Sequence, residues 1–327
     1  MTRFSPVSAS VVIAGCGSIG RRHARVLRSL GVRDIRICDP AAEQRAALKA
    51  EGPVAAEFAS YEDALASRPQ SVFICTPPKM HIPMSIRALE SGAHVFCEKP
   101  LSDGLGGIED LEGAIKRTGR KFMVGFCFRF HEGLTRAKQM LDAGRIGRLV
   151  SIRCRMGEHL PTVRPDYKTL FTSQYSGAFD LTHEIDLACW YAAPRPISAV
   201  KCMRGSFSDI GIKAPDVVEI LVRFGGDCLA SVHLDFFSRP RNRVTELLGT
   251  EGTISVEFPT WEECTVGVYA AAEGKWTTER LATERDFMFR AEDTEFLEAV
   301  ALDRPIRLDL AEACKSMRIV VEAQNER

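Results

Sequence analysis

The chain has 327 residues, which at roughly 100–200 residues per domain points to two domains or one large one. Apolar residues make up 45% and charged residues 26%, the mix of an ordinary globular protein. Lys+Arg is 43 and Asp+Glu is 43; a net charge of zero argues against a nucleic-acid partner, which demands a basic surface.

No apolar run approaches the roughly 18–20 residues that span a bilayer, so no membrane partner is expected. The N-terminal MTRFSPVSAS precedes only a short apolar run, too little for a signal-peptide core. Eleven cysteines are scattered without a C-x-x-C pair or a zinc spacing. Several, such as Cys38, Cys75 and Cys97, sit inside apolar runs and read as small core residues. Reduced cysteine implies a reducing compartment, the cytoplasm; with no zinc spacing, and with His183-Glu184 not part of H-E-x-x-H, no metal site is expected.

From Val11 to about Val124, short apolar strands alternate with helices of 3.6-residue spacing. The predicted strands are Ser10–Ala14, Asp34–Cys38, Val54–Phe58, Ser71–Cys75, Ala93–Cys97 and Lys121–Val124. The predicted helices are Ile19–Leu30, Ala41–Ala50, Tyr61–Ser67, His81–Ser91 and Leu105–Thr118, several ending at a glycine. Nearly continuous apolar strands mean both faces are covered, so this half is a doubly wound parallel α/β sheet.

After about Gly125 the pattern changes. A helix over Glu132–Ala143 leads to strands at Leu149–Arg155, Ile197–Met203, Val217–Phe224, Cys228–Phe236, Arg243–Leu248 and Thr253–Glu257. Tight turns such as Phe224-Gly225-Gly226-Asp227 join them, which predicts an antiparallel sheet. A helix over Ser176–Tyr191 interrupts it, and two more, Phe287–Ala301 and Leu310–Ala323, close the chain. The expectation is a Rossmann domain over residues 1–124 and an α+β domain with an open sheet over 125–327. The last helix is expected to pack back on the first domain.

Gly15-Cys16-Gly17-Ser18-Ile19-Gly20 fits G-x-G-x-x-G between a predicted strand and a predicted helix. Gly15 permits the tight turn, Gly17 lets backbone approach a pyrophosphate, and Gly20 lets helix and strand close up. Ser18 and Ile19 open the helix, whose N-terminal N–H groups suit phosphate. Asp39, at the end of the second strand, can accept hydrogen bonds from both ribose hydroxyls and would repel a 2′-phosphate. That favours NAD, with NADP possible because Arg36 and Arg45 are near in sequence.

Two more loops lie at strand C-terminal ends, where such sheets bind ligands. One is Thr76-Pro77-Pro78 leading to His81; the other is Glu98-Lys99-Pro100. Prolines also simply end strands, so the first loop reads either way. Lys99, directly after an apolar strand, can set an ammonium beside a nicotinamide and a substrate hydroxyl; a plain surface lysine is the other reading. His23 reads as a packing or capping residue.

These segments together resemble the glucose–fructose oxidoreductase / inositol dehydrogenase / MocA (Gfo/Idh/MocA) family. The likeness runs from GCGSIGRRHA through the Thr-Pro-Pro…His loop and Glu98-Lys99-Pro100. It continues through Gly125-Phe126-Cys127-Phe128-Arg129-Phe130-His131 to Gly177-Ala178-Phe179-Asp180-Leu181-Thr182-His183-Glu184-Ile185-Asp186. It implies redox chemistry on a sugar or cyclitol with a pyridine nucleotide, and a homodimer or homotetramer built through the open sheet. It also implies Lys99 and His183 as the catalytic pair.

His183 would then be general base to a substrate hydroxyl, Lys99 would stabilise the developing negative charge, and Asp180 would orient His183. This chain departs from many members in placing Asp180 three residues before His183 rather than four; on one helix both spacings share a face. Arg129, His131, Arg164, Tyr167 and Lys168 are candidates for substrate hydroxyls or a carboxylate, or are ordinary polar residues. Two other classes remain open at this stage: a non-catalytic dinucleotide and sugar sensor, and an NAD-dependent glycosidase.

Overall fold

The computed structural model describes residues 8–170 and 177–326. The chain divides into two compact units, Met1–Cys127 with Phe289–Cys314, and Phe128–Met288 with Lys315–Arg327. The sequence reading put residues 125–327 in the second domain with the last helix packing back on the first; Phe289–Cys314 clusters with the first unit and Lys315–Arg327 with the second.

In the first unit β1 (Ser10–Ala14), α1 (Ser18–Ser29), β2 (Asp34–Cys38), α2 (Ala42–Ala50), β3 (Ala56–Phe58), α3 (Tyr61–Ala66) and β4 (Ser71–Ile74) follow in order. They continue as α4 (His81–Glu90), β5 (His94–Glu98), α5 (Ile108–Thr118) and β6 (Phe122–Gly125). The strands form one six-stranded sheet in the order β3-β2-β1-β4-β5-β6. Every pairing in it is parallel. Val11, Val12, Ile13 and Ala14 are wholly buried, as a strand covered on both faces requires. The order reverses between β1 and β4, the switch point at which such sheets hold ligands.

The reason Phe289–Cys314 belongs here is a buried charge. His23 on α1 is fully buried, with Nδ1 2.9 Å from Asp293 and Nε2 3.0 Å from Glu98. With a carboxylate at each ring nitrogen, both nitrogens act as donors and the ring carries a proton. Burial opposes that charge, but Asp293 and Glu98 outweigh it and raise the His23 pKa to about 10. Phe73 and Phe96 stack at 4.6 Å beside the ring, and Phe296 meets both edge-on.

In the second unit α6 (Glu132–Asp142) precedes β7 (Leu149–Gly157), then α7 (Leu160–Val163), α8 (Tyr167–Leu170) and α9 (Thr182–Ala192). Strands β8 (Ile197–Gly205), β9 (Val217–Phe224), β10 (Cys228–Asp235), β11 (Asn242–Gly249), β12 (Gly252–Glu257), β13 (Glu263–Ala270) and β14 (Lys275–Ala282) follow. Helices α10 (Arg285–Ala301) and α11 (Leu310–Asn325) end the chain. The eight strands order as β14-β13-β12-β11-β7-β10-β9-β8. All pairings are antiparallel except β10 with β7. The expected α/β fold, with a parallel sheet and a mainly antiparallel one, is what the chain forms.

Alternation along β9 buries Val218, Ile220, Val222 and Phe224 and exposes Glu219, Leu221 and Arg223. The buried face of this sheet lies under α6 and α9. Among the described residues no helix is long and apolar enough to cross a membrane.

Three sequence expectations change. Strands β13 and β14 were not foreseen. Their exposed alternate positions are Thr, Tyr, Trp, Glu and Lys, a weak strand signal at an edge. The helix expected over Ser176–Tyr191 is a 3₁₀ turn at Gly177–Asp180 followed by α9 from Thr182; Ser176 lies outside the described residues. Asp180 and His183 therefore do not share a helix face. The short helices α7 and α8 were not foreseen either.

A protonated His23 ties stability to pH. Its folded pKa lies above the unfolded value of about 6.5, so its contribution is complete below that value and lost as pH rises toward 10. Denaturant unfolding of the wild type at steps from pH 6.5 to 8 is expected to lose stability. Against His23→Gln, the wild type should show an extra slope of about 1.4 kcal/mol per pH unit. Equal slopes in the two proteins would mean the ring is neutral.

Candidate active site

The dinucleotide loop is built by collision avoidance. Gly15 has φ +98°, and a Cβ there would lie 2.6 Å from the Cys75 carbonyl oxygen of the neighbouring loop. A Cβ on Gly20 would sit 1.9 Å from the Gly15 oxygen. At Gly17, by contrast, a Cβ would meet nothing within 4 Å. Gly17 is the N-cap of α1 and offers no side-chain acceptor, so the first-turn N–H groups at exposed Ser18 and half-buried Ile19 have no side-chain cap. This is a cradle with room on one side only, and it fits a pyrophosphate.

Asp39 braces the loop. One carboxylate oxygen accepts from Cys16 N–H at 2.8 Å and the other from Ala41 N–H at 2.9 Å. Each oxygen retains a lone pair for a ribose hydroxyl. Burial, with Asp39 next in effect, lifts the Cys16 thiol to about 12, so the loop thiol stays protonated. Arg36 is committed to Asp34 at 2.6 and 2.9 Å and to Ser67. Arg45 donates to the Asp39 carbonyl at 2.6 Å.

Of the Thr76-Pro77-Pro78 loop, Thr76 and Pro77 are half-buried. His81 is 1% exposed, its ring lying between the Pro100 carbonyl oxygen at 2.8 Å and that of Thr76 at 2.7 Å. The sequence suggested His81 for the cofactor; the structure makes it a staple between the loops after β4 and β5. Burial lowers its pKa, and the two carbonyl oxygens act against that shift. Glu98 is likewise buried and inward-facing. One oxygen meets His23, and the other accepts the Lys99 backbone N–H at 3.0 Å. Lys99 itself is half-buried at the ligand edge of the sheet.

In the second unit His183 lies in the first turn of α9, half-buried, with its ring 4.6 Å from that of Phe128. The two acids that follow are buried and committed. Glu184 takes Arg243 at 2.5 Å, and Asp186 takes the Arg129 fork at 2.6 and 2.8 Å. The expectation that Arg129 meets substrate thus gives way to an anchor for α9. His131 caps α6 by accepting from Gly133 N–H at 3.2 Å. Burial and Arg243 push its pKa down to about 4.

Tyr167 is buried, with its hydroxyl donating to the Ile210 carbonyl at 2.7 Å. Arg164 is exposed beside Asp166, and Lys168 lies exposed 5.9 Å over the Tyr167 ring. None of the last three is brought to His183 by a described contact. Sequence reasoning missed a different group: Glu158, Arg241, Arg243 and Trp261. The dense Arg239-Pro240-Arg241-Asn242-Arg243 run before β11 was the available signal.

The loop geometry separates folding from binding. Gly17→Ala should fold with stability within about 1 kcal/mol of wild type yet bind NAD at least about tenfold more weakly, because its methyl enters the ligand side. Gly20→Ala should lower stability by about 3 kcal/mol or more through the backbone clash. Calorimetric NAD titration and denaturant melts check both; unchanged NAD affinity in Gly17→Ala would place the pyrophosphate elsewhere.

Comparison with known proteins agrees with this geometry. Residues 9–126 match the family described as "Oxidoreductase family, NAD-binding Rossmann fold", and residues 134–255 match the GFO/IDH/MocA C-terminal domain. An inositol 2-dehydrogenase of Corynebacterium glutamicum is 30% identical over 217 residues, 64% of this chain and 63% of that protein. The alignment thus spans less than two thirds of that relative's own length. Among solved structures, a myo-inositol 2-dehydrogenase of Lactobacillus plantarum superposes with TM-score 0.84 at 22% identity, covering 97% of this chain and 96% of that one. A levoglucosan dehydrogenase bound to NADH and levoglucosan gives 0.86 at 21%, with the same coverage. At those identities the structures speak for the fold alone. With both domains matched in order along the sequence, the chain belongs to the Gfo/Idh/MocA family of oxidoreductases.

Proposed function

We propose that the protein is an NAD-dependent dehydrogenase acting on a secondary hydroxyl, or in reverse a carbonyl, of a sugar, cyclitol or sugar derivative. The observation that carries this reading is the mounting of Lys99. It follows β5 on the ligand edge of the sheet that bears the glycine cradle, and its backbone is held by a carboxylate itself held by a buried imidazolium. Such a mount suits an ammonium that must meet charge developing on a reacting oxygen.

When bound, the nicotinamide supplies the hydride acceptor or donor. Lys99 Nζ donates a hydrogen bond to the substrate oxygen as it becomes negative. His183 takes the proton from that hydroxyl, a task that suits an imidazole near neutrality. Asp180, on the 3₁₀ turn just before α9, would orient the ring or bind a neighbouring substrate hydroxyl. The pairs Arg129–Asp186 and Arg243–Glu184 anchor α9, in whose first turn His183 lies.

NAD is preferred over NADP. Asp39 stands at the loop, and Arg36, the cation that would greet a 2′-phosphate, is occupied. The curated inositol dehydrogenase and the levoglucosan enzyme with its NADH support a polyhydroxylated ring as substrate. None of the eleven cysteines is joined to another as a disulfide, which supports a reducing, cytoplasmic setting.

The test is the growth of absorbance near 340 nm with NAD or NADP and a panel of cyclitols, aldoses and uronates. Growth with NAD is expected. Lys99→Ala and His183→Ala should each lower kcat by about 100-fold or more. Full turnover in both would sink the assignment. Tight NAD binding with no turnover would favour a sensor, and release of free sugar without net NADH a glycosidase.

The open face of the second sheet is the proposed homodimer or homotetramer surface. Strand register puts Met203, Leu221, Leu229 and Trp276 on that one face, from 46% to 81% exposed. Leu221→Lys with Leu229→Lys is expected to lower the light-scattering mass toward one chain. A wild-type monomer would end the proposal.

A further inference from the structure

The backbone around Lys99 is held on both sides. Its own N–H donates to Glu98 Oε2 at 3.0 Å. One residue on, the Pro100 carbonyl oxygen lies 2.8 Å from Nδ1 of His81, the first residue of α4. The other ring nitrogen, Nε2, lies 2.7 Å from the Thr76 carbonyl oxygen. The ring is buried, so its polar atoms depend on these protein partners. Its backbone is pinned as well, since buried Ser85 donates its hydroxyl to the His81 carbonyl at 2.6 Å.

The two ring contacts differ in what else supports them. Carbonyl oxygens only accept, and a neutral imidazole has one N–H, so it serves one of the two at a time. The Thr76 loop has further ties. Cys75 N–H donates to the Ala14 carbonyl at 2.7 Å, and the Thr76 hydroxyl donates to the Met84 sulfur at 3.6 Å. The same loop rests on the glycine cradle, where a Cβ on Gly15 would lie 2.6 Å from the Cys75 oxygen. The lysine turn is placed differently. Proline brings no N–H, so Pro100 can be held by a hydrogen bond only through its carbonyl, and His81 takes it.

We propose that His81 is a positioning residue for Lys99: its Nδ1–H bond to the Pro100 carbonyl fixes the lysine turn to α4, whose first turn also grips the loop lying on the glycine cradle. This rests on the reading of Lys99 as the group that meets the substrate oxygen. A donor aimed at developing charge must be held in place, because a displacement of about 1 Å can cost on the order of 100-fold in rate. Glu98 sets the approach to Lys99 along the chain, and His81 sets the departure.

Two substitutions separate the halves of the contact. An Asn amide nitrogen falls where the imidazole Nδ1 stood, and a Gln amide nitrogen where Nε2 stood. His81→Asn thus keeps the bond to Pro100, whereas His81→Gln keeps the bond to Thr76 and releases the lysine turn. The readout is the lysine itself. NAD-loaded protein is labelled with trace acetic anhydride, and Lys99 acetylation is followed by mass spectrometry from neutral pH to above the lysine pKa. His81→Gln should raise the Lys99 rate about fivefold, the weight of one hydrogen bond in a population. His81→Asn should match the wild type, and the other lysines should stay within about twofold in both. With a sugar that yields NADH, His81→Gln should lower kcat by about tenfold, His81→Asn should retain it, and His81→Gln should add nothing to Lys99→Ala.

A measurement on the wild type stands beside these. The nitrogen NMR shifts of the His81 ring, assigned by the signals lost in His81→Asn, report which nitrogen carries hydrogen, and Nδ1 is expected to carry one. The proposal is overturned if Nδ1 is bare, if His81→Gln leaves Lys99 labelling at the wild-type rate, or if His81→Asn raises it as far as His81→Gln does. A rise shared by the other lysines of the first unit would mean a loosened fold and would overturn it as well. Full turnover in Lys99→Ala would end the catalytic reading and leave the tie between His81 and the lysine turn, read from labelling, standing.

Discussion

The carboxylate of Glu98 is the point on which the ligand edge of the first unit depends. It is buried, and a buried carboxylate is tolerated only when its charge is met. His23 meets it from α1 at 3.0 Å, and Asp293 meets His23 in turn at 2.9 Å. The second oxygen of Glu98 then takes the Lys99 N–H. One chain of charges thus links the helix that carries the glycine cradle, a segment more than 250 residues later, and the turn that presents the lysine. Removing one member of such a set leaves an uncompensated buried charge, typically about 3–5 kcal/mol. A lysine mounted on an apolar turn would lack this coupling.

The same need for partners shows in polar residues that the sequence offered for a substrate. Arg129, His131 and Tyr167 looked from the sequence like groups for sugar hydroxyls, because polar residues between apolar runs usually face water. Each is instead consumed by a partner: Asp186, the Gly133 amide and the Ile210 carbonyl. The partner of Arg129 lies 57 residues away and that of Tyr167 43. Periodicity carries no information on such pairings, so a local reading assigns these side chains to solvent or substrate by default.

What periodicity does carry is backbone order. In the first unit the predicted strands fall on observed ones, because a parallel sheet covered on both faces writes itself as runs such as Val11-Val12-Ile13-Ala14. The glycine loop was equally legible, since Gly15 and Gly20 are fixed by contacts within the first turn and an adjacent loop. The second unit is harder. Its edge strand Lys275–Ala282 is almost wholly exposed and polar, and nothing in composition distinguishes it from a loop. The break at Leu181 is invisible as well: Gly177-Ala178-Phe179-Asp180 reads as helix, and only the 3₁₀ turn separates Asp180 from His183.

The zero net charge of the whole chain conceals two opposite solutions to buried charge. In the first unit the cation sits between two carboxylates, and the set is closed by its own residues. Around Trp261 in the second unit two guanidinium groups share one ring, and Arg241 Nε stands 3.6 Å from Glu158 without a hydrogen bond. A closed set rigidifies, because every member is satisfied only in one arrangement. A set with an unpaired donor lacks that constraint and carries the desolvation cost of the donor. Folding tolerates the cost because Arg241 and Arg285 recover part of it as cation–π contact, about 0.5–1 kcal/mol at a partly exposed ring. Total charge is therefore a sound argument against a nucleic-acid surface and no argument about a pocket.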